Sequence, residues 1–403
     1  MEMNPLVFET SASTNSAIWA SFNGCKGKNS FGNDKLNMGI FITFADNLRF
    51  NIKIMEQQII RCQHIEEELS SLLRSLSYDG LFLLTDDNTT RFCLPAIEAI
   101  PEIQLAKKIS IPSGDDNKKI ESLAKVWKFL SDNEANRKSL LINLGGGMLT
   151  DLGGFAASTF KRGMRFINIP TTLLGAVDAA VGGKTGINFN GLKNEVGTFA
   201  PAIAVLIESR FFKTLDHTNF LSGYAEMLKH ALLSSPEDLK KILLFNLEDI
   251  DYNTLNNLLF ESVMVKECIV TEDPEERGIR KALNLGHTFG HAFESLSYEI
   301  NKPIPHGYAV AWGTVCELYL SFIKFGFDKN VLMKIARFVK DNYGTFPFGC
   351  DQYQALYDLM RHDKKNESGL INFTLLKAVG EIEINQTASQ HEIDEAFDFL
   401  REY

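Results

Sequence analysis

Apolar residues along this chain follow two rhythms. In the first half they gather in short runs at 81–84, 109–112, 140–144, 166–169 and 203–207, each closed by Gly, Pro, Thr, Ser or Glu. Runs this short and this apolar read as strands buried on both faces. Between them the spacing changes to three and four. Leu69, Leu72, Leu73 and Leu76 follow Ile65, and Ile120, Leu123, Val126, Trp127 and Leu130 form a second set. Both sets predict helices that pack on a sheet, and the alternation predicts a parallel α/β layer.

Beyond about residue 216 helical spacing dominates, over 239–247, 255–270, 283–296, 309–325 and 331–339, with a strand-like run at 371–377 before a terminal helix. The expected fold is an α/β N-terminal Rossmann-like parallel-sheet domain over 55–215, followed by a mostly α-helical C-terminal domain over 216–403. The cleft between the two is the default site. Residues 1–54, rich in Asn, Ser, Gly and Phe and without a period, are expected to be a poorly structured, dispensable extension.

The composition, 45% hydrophobic and 23% charged over 403 residues, suits two ordinary cores. A formal net charge of −10 argues against nucleic acid or anionic membrane as partners, so an anionic substrate would need a local cluster of cations. No apolar run nears the roughly 18 residues of a membrane helix, and no signal-peptide pattern stands out. Six scattered cysteines without a C-x-x-C pair predict reduced thiols and a cytoplasmic protein.

Three consecutive glycines, Gly145, Gly146 and Gly147, lie between a predicted strand and a helix. That arrangement lets backbone N–H groups approach a pyrophosphate, although it lacks the G-x-G-x-x-G pattern and also suits a tight turn. Asp86 and its neighbours close the run at 81–84, where they can hold a ribose or cap a helix. Val181-Gly182-Gly183-Lys184-Thr185 lacks the first glycine of a P-loop, which removes the nucleoside-triphosphate reading.

In the second half Glu226, His287 and His306 are candidate metal ligands. His287 and His291, four apart, could instead ligate together. One carboxylate and two imidazoles leave a position on zinc open for a substrate oxygen. Lys184, Lys193, Lys229, Lys266, Arg280, Lys364 and Lys365 supply cations, several beside Gly or Asn in apolar segments, that would suit a phosphate plus a carboxylate.

The segments GGGMLTDLGGF, RGMRF, IPTTLL, VGGKTGIN, LKN, GYAEMLKH, 273–280, ALNLGHTFGHAFE and PHGYAVAWG, in this order, resemble the 3-dehydroquinate synthase family over about residues 80–380. The resemblance implies an NAD- and metal-dependent lyase that turns 3-deoxy-D-arabino-heptulosonate 7-phosphate into 3-dehydroquinate and phosphate in the shikimate pathway. Its steps would be transient oxidation, phosphate elimination, re-reduction and aldol closure.

By the same resemblance zinc or cobalt would be held by Glu226, His287 and His306. Substrate contacts would come from Asp178, Lys184, Asn194, Lys229, Lys266, Arg280, Asn284, His291 and Lys364, with Arg162 reaching across a homodimer interface. In this reading His291 faces the departing phosphate and is not a second ligand. NAD would lie along Asp86, Asn88, Asp115, Lys118, Gly146, Gly147, Asp151, Thr171, Thr172, Lys193, Phe211 and Thr214. The chain departs from the family pattern at Asp115, Thr150, Ala179 and Tyr308, the last in place of a glutamate after His-Gly. The rival expectations are a sister cyclase acting on a carboxylate-free sugar phosphate, a metal-dependent alcohol dehydrogenase, and a non-catalytic binding module.

Overall fold

The computed structural model describes residues 57–361 and 370–403. The expected extension over 1–54 lies outside the described residues, as do Lys364 and Lys365. Six strands form one parallel sheet: β1 (Gln58–Arg61), β2 (Leu81–Asp86), β3 (Lys107–Ile111), β4 (Leu140–Gly145), β5 (Arg165–Pro170) and, after a hairpin, β8 (Ala204–Ile207). The five expected runs all lie in this sheet. β1 is an added edge strand whose four residues carry too little pattern to be seen.

The spatial order is β1-β8-β5-β4-β2-β3. β2 pairs with β3 on one flank and with β4 on the other, so the winding reverses between β2 and β4. Ligands of such sheets settle outside the carboxyl ends at that reversal, here beside Asp86 and Gly145. β2 and β4 are buried along their whole length, as their unbroken apolar runs require. Helices α1 (Ile65–Ser75), α2 (Ile120–Asp132) and α3 (Gly147–Thr159) cover the sheet from amphipathic or fully buried faces.

Between β5 and β8 the chain makes a feature absent from the sequence reading. β6 (Lys184–Phe189) and β7 (Leu192–Phe199) pair antiparallel. Their turn, Asn190-Gly191, takes φ of 50° and 78°, the left-handed pair that a two-residue hairpin demands. The Asn-Gly dipeptide was the available signal.

The second half is helical around α4 (His217–Ser234), α5 (Tyr252–Glu272), α6 (His287–Glu299) and α7 (His306–Phe325). The expected helix at 283–296 starts later, because residues Ile279–Asn284 form a 3₁₀ turn first. The run at 371–377 becomes the first strand of an antiparallel pair, β9 (Phe373–Ala378) with β10 (Glu381–Gln386). A glycine decides how α4 meets α7: a Cβ on Gly307 would lie 1.9 Å from the Ser222 carbonyl oxygen. Only glycine allows that approach, and it sets His306 beside Glu226.

Candidate active site

A cleft of about 760 Å³ opens where the helical half faces the β6–β7 hairpin and the turn holding Asp178. Asp151, Asp178, Lys184 and Asn194 line it from the α/β side; Lys229, Lys266, Arg280, Asn284, His287, His291 and His306 line it from the helical side. These expected site residues therefore converge on one space. Arg162 does not line it. That residue is exposed, in the left-handed conformation just past α3.

At the floor Glu226, His287 and His306 bring one ligand atom each to within 4.8 Å of one another. The Nε2 atoms of both histidines lie 3.6 Å from Glu226 Oε1. Their other ring nitrogens are engaged: His287 Nδ1 meets the Leu285 carbonyl at 3.1 Å, and His306 Nδ1 meets Glu294 Oε2 at 3.0 Å. Hydrogen bonds of this kind orient an imidazole so that Nε2 faces inward. Both carboxylate oxygens of Glu226 are buried without a hydrogen-bond partner, although the Lys229 ammonium touches one of them. A buried carboxylate oxygen, Oε1, that faces two imidazole nitrogens and has no hydrogen-bond donor fits a divalent cation.

Burial alone would push the Glu226 carboxyl up; Lys229 and His306 outweigh it and hold the group at about 2. Burial also disfavours His306 imidazolium, but Glu226 and Glu294 on either side raise it to about 9. His291 stands at the edge of the cluster, its ring centroid 5.4 Å from that of His287 and 6.0 Å from that of His306, and its nitrogens are not among the converging ligand atoms.

Next to the cluster Lys266 contacts the Asp178 carboxylate. Burial lowers the Lys266 ammonium below lysine's usual value, with Asp178 only partly offsetting it. Asp178 is held well below the usual carboxylate range, because Lys266 and Lys229 overcome its desolvation. Higher in the cleft, Lys184 and Asn284 both meet Glu276, and the Arg280 guanidinium donates to the Gly182 and Pro274 carbonyls at 3.0 and 2.7 Å. Asp273 shapes this loop by accepting from the backbone N–H groups of Arg277, Gly278 and Arg280.

The expected cofactor residues sit along the carboxyl edge of the sheet. Gly146 caps α3 with no side-chain hydrogen bond, leaving a helix N-terminus without a capping side chain at the end of β4. Thr171 and Thr172 follow β5, and the Thr172 hydroxyl accepts from Gly175 N–H at 3.0 Å. Asp86 accepts from Thr89 N–H at 2.8 Å, so the helix-capping role is realised there; Asn88 is exposed beside it. Lys118 is buried against Asp151 at 2.6 Å and also meets Asn194. Phe211 and Thr214 belong to a short helix after β8, joined by a 3.3 Å hydrogen bond. Lys193 on β7 lies 3.7 Å from Asp115, in the turn that follows β3.

Three glutamates escaped the sequence reading. Glu276 occupies Lys184 and Asn284, Glu294 orients His306, and buried Glu317 accepts from the backbone N–H groups of Gly286 and Thr288 at 2.7 and 3.1 Å, pinning the first turn of the helix that begins with His287. Glu294 was findable, lying on the same face of α6 as His287 and His291. Tyr308 is no loss to His306. It packs against Trp312 and Tyr343 instead, and Glu294 supplies the orienting carboxylate.

Solved sugar phosphate cyclases share this two-part fold. It matches 2-epi-5-epi-valiolone synthase from Streptomyces hygroscopicus, solved with NAD+ and Zn2+ bound, at TM-score 0.75 and 22% identity over 91% of this chain and 99% of that one. It matches 2-deoxy-scyllo-inosose synthase, complexed with carbaglucose-6-phosphate, NAD+ and Co2+, at TM-score 0.73 and 20% identity over 84% and 95%. Sequence narrows the class. The 3-dehydroquinate synthase N-terminal model matches residues 108–222 and the C-terminal model residues 223–366. A 3-dehydroquinate synthase from Parabacteroides distasonis is 55% identical over 86% of this chain and 98% of its own length. The chain belongs to the 3-dehydroquinate synthase family, carbon–oxygen lyases acting on phosphates.

Proposed function

We propose that this cleft converts 3-deoxy-D-arabino-heptulosonate 7-phosphate to 3-dehydroquinate and phosphate. The observation that carries the reading is the convergence of Glu226, His287 and His306 at a cleft that Lys184, Lys229, Lys266 and Arg280 also line. When bound, NAD would accept and return a hydride, and a divalent cation would stabilise negative charge on the substrate's oxygens.

The chain's own residues divide the remaining work. Glu226, His287 and His306 would hold the cation, and the N-terminus of α3 at Gly146 and Gly147 would meet the cofactor's diphosphate, with Thr171, Thr172, Asp115, Lys118 and Lys193 nearby. Lys229 and Lys266 would supply positive charge beside a hydroxyl that must give up its proton. The lowered ammonium of Lys266 is suited to moving that proton. Arg280, Lys184 and Asn284 would take a carboxylate or phosphate in exchange for Glu276, and His291 would meet the departing phosphate.

The dimer belongs to the same proposal. β7 is an exposed strand with Leu192, Val196 and Phe199 uncovered, and Thr198 on it meets Ser158 at 2.8 Å, four residues before Arg162 in the chain. Pairing of two such strands would cover this surface and carry Arg162 toward a second subunit. Among the described residues no helix is long and apolar enough to cross a membrane, in keeping with a cytoplasmic enzyme.

The deciding measurement is phosphate release from the heptulosonate phosphate with NAD and metal, with NAD omitted, and after chelation. Release that needs both cofactors and leaves no net NADH supports the lyase. Net NADH accumulation supports the alcohol dehydrogenase instead, and preference for a sugar phosphate without a carboxylate supports a sister cyclase.

A further inference from the structure

Glu294 is a buried carboxylate divided between two halves of the molecule. One oxygen, Oε1, lies 2.7 Å from the ammonium of Lys193 on β7; the other, Oε2, lies 3.0 Å from Nδ1 of His306. Lys193 itself is half exposed at 48% and lies between Glu294, Asp115 at 3.7 Å and the face of Tyr298, 5.5 Å from the ring centroid. Glu294 is only 11% exposed, so its charge is poorly screened and its two partners share it. Any anion that engages Lys193 weakens its hold on Oε1. More of the carboxylate charge then falls on the Nδ1–H of His306.

We propose that Glu294 links the two cofactor sites, so that a diphosphate-bearing dinucleotide at Lys193 and a divalent cation at His306 strengthen each other's binding. The inference rests on the site reading above, in which Lys193 faces the dinucleotide and His306 the metal. An imidazole that donates its second N–H to a carboxylate is a stronger metal donor, and losing such a partner weakens affinity about 10–100-fold. The effect runs both ways. A cation on Nε2 makes Nδ1–H a stronger donor, draws Glu294 toward the ring and leaves Lys193 freer to meet a phosphate. Linkage requires the two enhancements to be equal.

The test is a metal titration of the full-length protein after chelator treatment, read by Co2+ absorption in competition with a chromophoric chelator, with and without NAD+. NAD+ should tighten Co2+ binding by about 5-fold or more, the lower bound of ordinary coupling. Glu294→Gln keeps the shape and removes the charge; it should bind both ligands with the enhancement abolished. Lys193→Met should bind Co2+ without NAD+ at the tightened level, and Lys193→Arg should restore the dependence. If the wild type binds both ligands with no mutual effect, or E294Q keeps the full enhancement, the coupling is overturned while the site reading stands. If the wild type gives no Co2+ spectrum or does not bind NAD+, the site reading fails and the coupling fails with it.

Discussion

The helical wall of the cleft keeps its charges dry, whereas the side that carries the β6–β7 hairpin leaves most of its charges wet, the buried Lys118–Asp151 pair excepted. Side chains of Glu226, Lys229 and Lys266 are 0%, 2% and 7% exposed; those of Asp115, Lys193 and Lys184 are 52%, 48% and 53% exposed. Buried charges must be held by neighbours before any ligand arrives, and the helical wall accordingly consists of ion pairs, oriented imidazoles and a glycine contact. Exposed charges need no such preparation. The sheet wall offers backbone ends, a capless helix N-terminus and half-exposed lysines that a ligand must draw from Glu276 and Glu294. The first wall is suited to chemistry and the second to binding.

Removing a ligand from the dry wall should do most damage. His287→Ala, or chelation of the wild type, should lower turnover by more than the roughly 100-fold typical of losing an outer partner, and added Zn2+ or Co2+ should rescue only the chelated wild type. Turnover and bound metal, measured together, check this. Full activity in H287A would show the cluster to be structural. Lys229→Met leaves the Glu226 carboxylate buried without its ammonium, which should cost about 3–5 kcal/mol in denaturant unfolding of metal-stripped protein. Added divalent cation should recover part of that loss.

Smaller effects test the scaffold. Gly307→Ala forces a Cβ to within 1.9 Å of the Ser222 carbonyl and should separate α4 from α7, costing about 1–3 kcal/mol and weakening metal binding more than NAD binding. Gly146→Ala makes the opposite distinction. Its Cβ would meet Thr172 Cγ2 at 2.9 Å, so KM for NAD should rise while metal affinity, followed by Co2+ titration, stays unchanged. Equal loss of both affinities in either variant would erase the contrast between the walls.

The smallest effect is a pH dependence at the cleft's outer loop. Burial raises the Asp273 carboxyl, but the N–H groups of Gly278, Arg280 and Arg277 outweigh it and set the group below its usual value. A carboxyl lowered in the folded state stabilises it above the unfolded value of about 3.9, and that contribution disappears as pH falls through the folded value. Asp273→Asn should therefore flatten the acid limb of thermal stability and leave neutral activity nearly intact. An unchanged acid limb would remove Asp273 from the ordering of Arg280.

Period and punctuation sufficed for the five core strands and the helical second half, because a strand buried on both faces must be apolar throughout and an amphipathic helix must repeat near 3.6; the choice among the histidines came from the family resemblance instead. Local pattern also left Asp86 open between ribose contact and helix cap, and its hydrogen bond to Thr89 realises the cap. What required tertiary structure was every relation between distant segments. No spacing announces that Glu294 faces both Lys193 and His306, that Glu317 pins the first turn of α6, or that Gly307 presses against Ser222. Burial and periodicity are properties of a single element, legible along the chain. A buried charge finds its partner only when separate elements pack, so the electrostatics of this cleft belong to the fold.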